Sequence, residues 1–180
     1  TAMFKGDLNQ IVFSPYWNIT PTIAKEEIMT AVAKNPNYLA SHNMEMTPGG
    51  GVRQLPGEGN SLGKVKFLFP NSFNIYFHDT PAKRLFSKDK RAYSHGCIRL
   101  SQPAKLAEYL LRNQPDWPVE KQNAAMNSGK ETFVKLNKSV PVIITYYTAW
   151  VDENGVLNFR DDIYKQDAQL AKRMFTGITI

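Results

Sequence analysis

Apolar and polar positions alternate in short runs along much of the chain, the pattern of half-buried strands. Residues 10–14 (QIVFS) read as a strand stopped by Pro15. Residues 64–69 (KVKFLF) and 73–78 (FNIYFH) read as two more, separated by a turn at Pro70, Asn71 and Ser72. In the second of these, Phe73, Ile75 and Phe77 alternate with Asn74, Tyr76 and His78, so His78 shares a face with Tyr76 at the strand's end. Residues 133–136, 141–151 and 156–159 are further strands, the last two joined by a hairpin turn at Asp152, Glu153, Asn154 and Gly155.

A helical period interrupts the alternation. Thr20 is an N-cap with Pro21 at the first helical position, and Ile23, Ile28 and Val32 fall near one face before Asn35 and Pro36 end the helix. Ser101, Gln102 and Pro103 open a helix to about residue 112, with Leu106, Leu110 and Leu111 as its apolar stripe. Asp116, Trp117 and Pro118 start another that Gly129 closes, and residues 161–175 read as a terminal helix. Between these lies TPGGGVRQLPGEGNSLG, residues 47–63, whose six glycines and two prolines predict an irregular loop, read as a mobile lid. The fold class is mainly β with peripheral helices (α+β).

Composition narrows the picture. The 180 residues are 42% hydrophobic, enough for a core of one domain, and the formal charge of +6 does not single out nucleic acid, so no nucleic-acid partner is expected. The longest apolar run, residues 140–151, holds Pro141 and polar residues and is too short to cross a bilayer. The abrupt start at Thr1 reads as a fragment without a targeting segment. The single cysteine, Cys97, excludes an internal disulfide framework and any zinc site needing two or more cysteines.

Candidate chemistry concentrates in residues 78–100. The glycine loop does not fit a nucleotide: Gly57, Gly59 and Gly63 give GxGxxxG, and a P-loop would need glycine at position 58 and Ser or Thr at 65. Cys97, by contrast, has two histidines near it in sequence. A thiol attacks carbonyl carbon as thiolate, and an adjacent imidazole supplies the base. His95, two residues away in a tight turn, projects elsewhere, whereas His78 at the end of an adjacent strand can point at the thiol. Gly96 allows a backbone turn that aims consecutive N–H groups at one point. The plainer reading of a lone cysteine is a buried apolar filler. A zinc site from His42, His78, His95 and Cys97 has suitable ligand types but no recognisable spacing frame.

His78, fifteen intervening residues and then SHGCIR at 94–99 form a pattern that resembles the signature of the L,D-transpeptidase (YkuD-type) catalytic domain. FHDTP before it and a proline-initiated leucine-striped helix after it are similar too. SPYWNITPTIAKEEIM, NPNYLASHN and GEGNSLGKVKFLFPN resemble the subgroup with an enlarged cap. The resemblance implies a β-sandwich catalytic domain over 1–180 with an inserted helical and loop cap at approximately 15–61. Family domains begin with a strand pair that is not legible here before residue 10, so the domain is expected to lack its first strands.

By the same resemblance, Cys97 is the nucleophile and His78 the base, with the Asp79 carbonyl orienting its ring. Gly96, His95 and the Cys97 N–H belong to the oxyanion turn, and Arg99, Ser94, Tyr76 and Trp17 to substrate binding. No cofactor or metal is implied. The implied partners are peptidoglycan stem peptides, and a carbapenem as a covalent adduct at Cys97. The implied location is the periplasm or cell envelope. An L,D-carboxypeptidase or wall amidase would use the same pair, and a non-catalytic wall-binding module would not need it.

Overall fold

The computed structural model describes residues 1–176, which fall into two compact units meeting at residues 143 and 144. In the first unit, β1 (Phe4–Phe13), β5 (Val65–Leu68), β6 (Phe77–His78), β7 (Ile98–Arg99) and β8 (Thr132–Ile144) form a five-stranded sheet in the order β7-β6-β5-β1-β8. β1 and β5 are antiparallel with Phe13 opposite Val65, β5 and β6 are antiparallel, and β6 and β7 are parallel. β1 begins six residues earlier than the segment QIVFS that the sequence marks as a strand. Its interior position in the sheet leaves Ile11, Val12 and Phe13 fully buried, a continuous apolar run rather than an alternating one.

Two helices cover the sheet. Pro103 starts α4 (Pro103–Leu111), and α5 (Val119–Asn127) follows Pro118 and ends before Gly129 at φ +67. The face that α4 buries is Ala107 and Leu111, four residues apart, while Leu106 and Leu110 pack at its margin. Met126 of α5 and Val134 and Leu136 of β8 close the same core, and Trp117 stacks on Phe13 with ring centroids 5.4 Å apart. The two strands expected at 133–136 and 141–151 are one strand to Ile144, interrupted afterwards. Pro141 is accommodated because β8 is an edge, where a missing N–H leaves no ladder bond unmade.

A second, smaller core lies in the same unit. β2 (Trp17–Asn18), β3 (Met44–Met46) and β4 (Val52–Gln54) pair in the order β2-β4-β3. Against them run α1 (Pro21–Ile23), a π turn at Ala24–Ile28, α2 (Met29–Lys34) and α3 (Tyr38–Ser41). The hydroxyl of Thr20 accepts from Ile23 N and Pro21 follows it, as the sequence indicates. Ile19, Ile28, Met44 and Val52 form this core.

The expectation of an irregular loop over 47–63 is corrected here. Val52–Gln54 is the middle strand of the small sheet, and Gln54, Asn60 and Leu62 are buried. Side-chain amides replace the backbone ladder that the glycines interrupt. Gln54 Nε2 donates to the His42 and Gly59 carbonyls, and its Oε1 accepts from Ser61 N. Asn60 Nδ2 donates to the Pro15 and Leu55 carbonyls.

In the second unit, β9 (Ala149–Val151) and β10 (Leu157–Phe159) form a hairpin around Asp152, whose Oδ1 accepts from Asn154 N and Val156 N. The terminal helix, α6 (Asp167–Met174), starts later than the expected 161, because the Asp162 carboxylate accepts from Asp167 N in a preceding turn. Mixed sheets with peripheral helices make the chain mainly β with an α component. Among the described residues, no helix is long and apolar enough to cross a membrane.

Candidate active site

The registers of β5, β6 and β7 sort side chains by chemistry. Phe67, Phe77 and Ile98 lie side by side on the face that enters the main core. The next residues along, Lys66, His78 and Arg99, occupy the opposite face. One further step in the parallel register sets Cys97, just before β7, beside Tyr76. Ile98 N donates to Tyr76 O at 3.1 Å and Leu100 N to His78 O at 2.8 Å, which locks the two segments together. A period of two thus presents imidazole, guanidinium, phenol and thiol on one side of a sheet whose other side is hydrocarbon.

Only Phe77 and His78 of the expected strand 73–78 are in the ladder. The preceding residues turn around Asn71, whose side chain accepts from Phe73 N and Ile75 N and donates to the Phe69 and Ile75 carbonyls. Asn74 sits at φ +53, a left-handed conformation that asparagine tolerates. Tyr76 and His78 nevertheless face the same way, their rings edge to face with centroids 5.9 Å apart.

His78 is 5% exposed, and its Nδ1 lies 2.5 Å from the Asp79 carbonyl. A carbonyl only accepts, so Nδ1 carries the hydrogen and Nε2 keeps the lone pair. Burial lowers the pKa to about 4; the Asp79 bond opposes this, and Arg99 adds to the lowering. The ring is therefore neutral at physiological pH. The Asp79 carboxylate is itself engaged, accepting from Lys64 N at 2.9 Å and Thr80 N at 2.7 Å and pairing with Lys83 Nζ at 2.6 Å. Gly63, at φ +62, leaves room for it: a Cβ there would lie 2.3 Å from Asp79 Oδ2.

Cys97 closes a solvent-facing turn. Ser94 Oγ donates to Cys97 O at 2.7 Å and accepts from Gly96 N at 3.2 Å. Gly96 has φ +134, while a Cβ there would meet nothing nearer than Ile75 at 4.0 Å, so backbone conformation and not space calls for glycine. The thiol is directed at the Asn74 carbonyl, 3.8 Å away. Burial raises its pKa, and hydrogen bonds from the Tyr76 backbone and hydroxyl hold it back. The Tyr76 phenol is raised well above its ordinary value, by burial first and then by the thiolate beside it. Thiol and imidazole are thus both neutral at rest, and no hydrogen bond joins them among the described residues.

A profile of the YkuD family, the L,D-transpeptidase catalytic domain, matches residues 1–144. The chain belongs to this family. It is also 30% identical over 190 residues to a Haemophilus influenzae protein named "Putative L,D-transpeptidase", with 94% of this chain and 38% of that protein covered. The YkuD chain described here therefore spans less than two fifths of that relative's length.

The other expected residues lie at different distances from the pair. His95 turns outward to Glu27 of the π turn, Nε2 to Oε1 2.9 Å. Arg99 donates through Nη2 to Tyr93 O, and its buried Nε has no hydrogen-bond partner among the described residues. Trp17 lies in β2 opposite Gln54 and packs on the second core. His42 stacks on Tyr38, and no cluster of three or more His, Cys, Asp or Glu suited to a metal occurs among the described residues. Sequence reasoning did not reach Asn74, Gly63 or Lys83. Asn71 followed three residues later by Asn74 was the legible trace of the turn; nothing in the spacing of Gly63 and Asp79 announces that they meet.

Proposed function

We propose that this domain carries out peptidoglycan L,D-transpeptidation in the cell envelope, with Cys97 as nucleophile and His78 as base. The observation that carries this reading is the tautomer of His78. Its Nδ1–H is committed to the Asp79 carbonyl, which leaves Nε2 as the acceptor on the face where Cys97 follows in register. The reading requires the Cys97 side chain to turn from Asn74 O toward Nε2.

Sγ passes its proton to Nε2 as it bonds to the carbonyl carbon at the L-centre of the donor stem's diamino acid. The N–H groups of Gly96 and Cys97, with His95 on the same turn, receive the charge that develops on oxygen. Collapse breaks the bond to D-alanine, which leaves with the proton from Nε2. An acceptor amine then attacks the thioester, gives its proton to Nε2, and the departing sulfur regains it. Arg99, with an unpaired buried Nε, supports recognition of a stem carboxylate, and Tyr76 and Trp17 line the approach. The small sheet and its helices, residues 15–61, act as a cap.

Mass spectrometry of products from a tetrapeptide-bearing muropeptide tests this. Loss of D-alanine with formation of a cross-linked dimer is expected, and a carbapenem should add to Cys97. Hydrolysis without any dimer would instead indicate an L,D-carboxypeptidase.

A further inference from the structure

The peptide between Asp79 and Thr80 is held at both ends. Its carbonyl meets His78 Nδ1 and its N–H meets the Asp79 carboxylate, at 2.5 Å and 2.7 Å. A planar trans peptide directs these groups oppositely, so fixing the N–H fixes the carbonyl. The carboxylate that fixes it is anchored in turn by Lys64 N and Lys83 Nζ. Lys83 Nζ also donates to the Leu100 and Ser101 carbonyls, at 3.0 Å and 3.2 Å, just beyond β7. One ammonium thus joins the loop after the imidazole to the strand after the thiol.

We propose that Lys83 is a positioning residue for this reaction: by bridging the Asp79 carboxylate to the end of β7, it holds the Asp79 carbonyl on His78 Nδ1 and keeps Nε2 free. The proposal rests on His78 being the base. Lys83 acts through Asp79 and touches no substrate. Its side chain is 44% exposed, so its removal leaves the core packing untouched.

The charged and titratable groups around His78 are Lys66 on β5, Tyr76 on the segment entering β6, Cys97 and Arg99 along β7, and Asp79 and Lys83 in the following loop. Arg99 and Lys83 disfavour the imidazolium and Asp79 favours it. Deleting the Lys83 charge removes a repelling cation and leaves the Asp79 carboxylate less neutralised. Both changes raise the His78 pKa, whereas loosening of the Asp79 carbonyl bond lowers it, so the tautomer and not the pKa reports the positioning.

The test is an imidazole nitrogen NMR titration of the whole domain, with His78 assigned by His78→Ala among the three histidines. Wild type should show the Nδ1–H tautomer. Lys83→Met should admit a measurable fraction of the Nε2–H tautomer, while Lys83→Arg restores the wild-type ratio. An unchanged tautomer ratio in Lys83→Met would overturn the proposal, whatever the pKa does. So would a shift that Lys83→Arg fails to reverse, since that is the outcome of a general loosening. Turnover by Cys97→Ser and His78→Ala reports separately on the catalytic assignment, so either reading can fail without the other's measurement being lost.

Discussion

His78 ends a strand flanked by ladders on both sides, and is anchored by a 2.5 Å bond to a carbonyl whose own residue accepts three further donors. Cys97 ends a solvent-facing turn held by the hydroxyls of Ser94 and Thr1, and its thiol rests on a carbonyl 3.8 Å away. On the proposed reading, the base is prepared in advance and the nucleophile is parked. A buried imidazole with a fixed tautomer loses no free energy to reorientation during proton transfer. A thiol kept protonated resists oxidation and alkylation until it swings to the base. The contrast places the adjustable step of the chemistry on the turn, with the strand end as its fixed reference.

The most severe way to test this contrast is to remove the parked group. Cys97→Ser should lower turnover by at least about a thousandfold, because a serine hydroxyl is not activated by the same neutral imidazole. Its melting temperature should stay close to wild type, given the similar volume. Turnover within about tenfold of wild type would remove Cys97 from the role.

The two histidines sharpen it next. His78→Ala should slow acylation by ~10²–10⁴-fold, the range for a general base. His95→Ala, which loses an outward contact with Glu27, should stay within about tenfold. The reverse ranking of acylation rates would transfer the base to the turn.

The buried base also carries a pH signature in stability. Its folded pKa of about 4 lies below the unfolded value of 6.5, so the unfolded chain binds the proton first. Stability is therefore full above about pH 6.5 and falls as pH drops toward 4. The loss from this group reaches about 3 kcal/mol. Urea unfolding at pH 7, 5.5 and 4 should show it, and His78→Gln should flatten the curve over that window. Equal slopes for the two proteins would mean that the ring is not buried neutral.

Gly63 probes the reference from a distance. Gly63→Ala places a methyl 2.3 Å from a carboxylate oxygen that three donors hold, in a left-handed conformation. It should cost about 2 kcal/mol and displace Asp79. Gly129→Ala, at φ +67 with nothing within 4 Å, reports backbone strain alone, about 1 kcal/mol. If both cost the same in thermal unfolding, the close approach to Asp79 is not a constraint.

What was legible in the sequence follows the same division. Strand period, Pro21, Pro103 and Pro118 as helix starts, and the spacing from His78 to Cys97 are local signals, and the elements they mark are present. Residues 47–63 were misread because glycine content hides a strand whose partners, Trp17 and Met44, are remote in sequence. The start of β1 is hidden because Lys5, Gly6, Asp7 and Asn9 dilute the apolar positions of its first half. The Asp79 carbonyl on His78 Nδ1 was expected through the family resemblance alone, since no period or spacing gives a carbonyl's direction. Lys83 and Gly63 act through folding of the loop around Asp79, which no period encodes.

Ser94 gives the finest test, because the sequence suggested substrate contact while its hydroxyl is engaged within the turn. Losing two exposed hydrogen bonds should cost about 1 kcal/mol of stability or less. The catalytic effect should exceed that share of the fold, because the same bonds set the direction of the Gly96 and Cys97 N–H groups. A turn that no longer aims both donors stabilises the oxyanion less while binding the ground state equally. Ser94→Ala should therefore lower kcat several-fold with KM little changed. Ser94→Thr, which keeps the hydroxyl, should recover most of it. A raised KM at unchanged kcat would return Ser94 to the substrate.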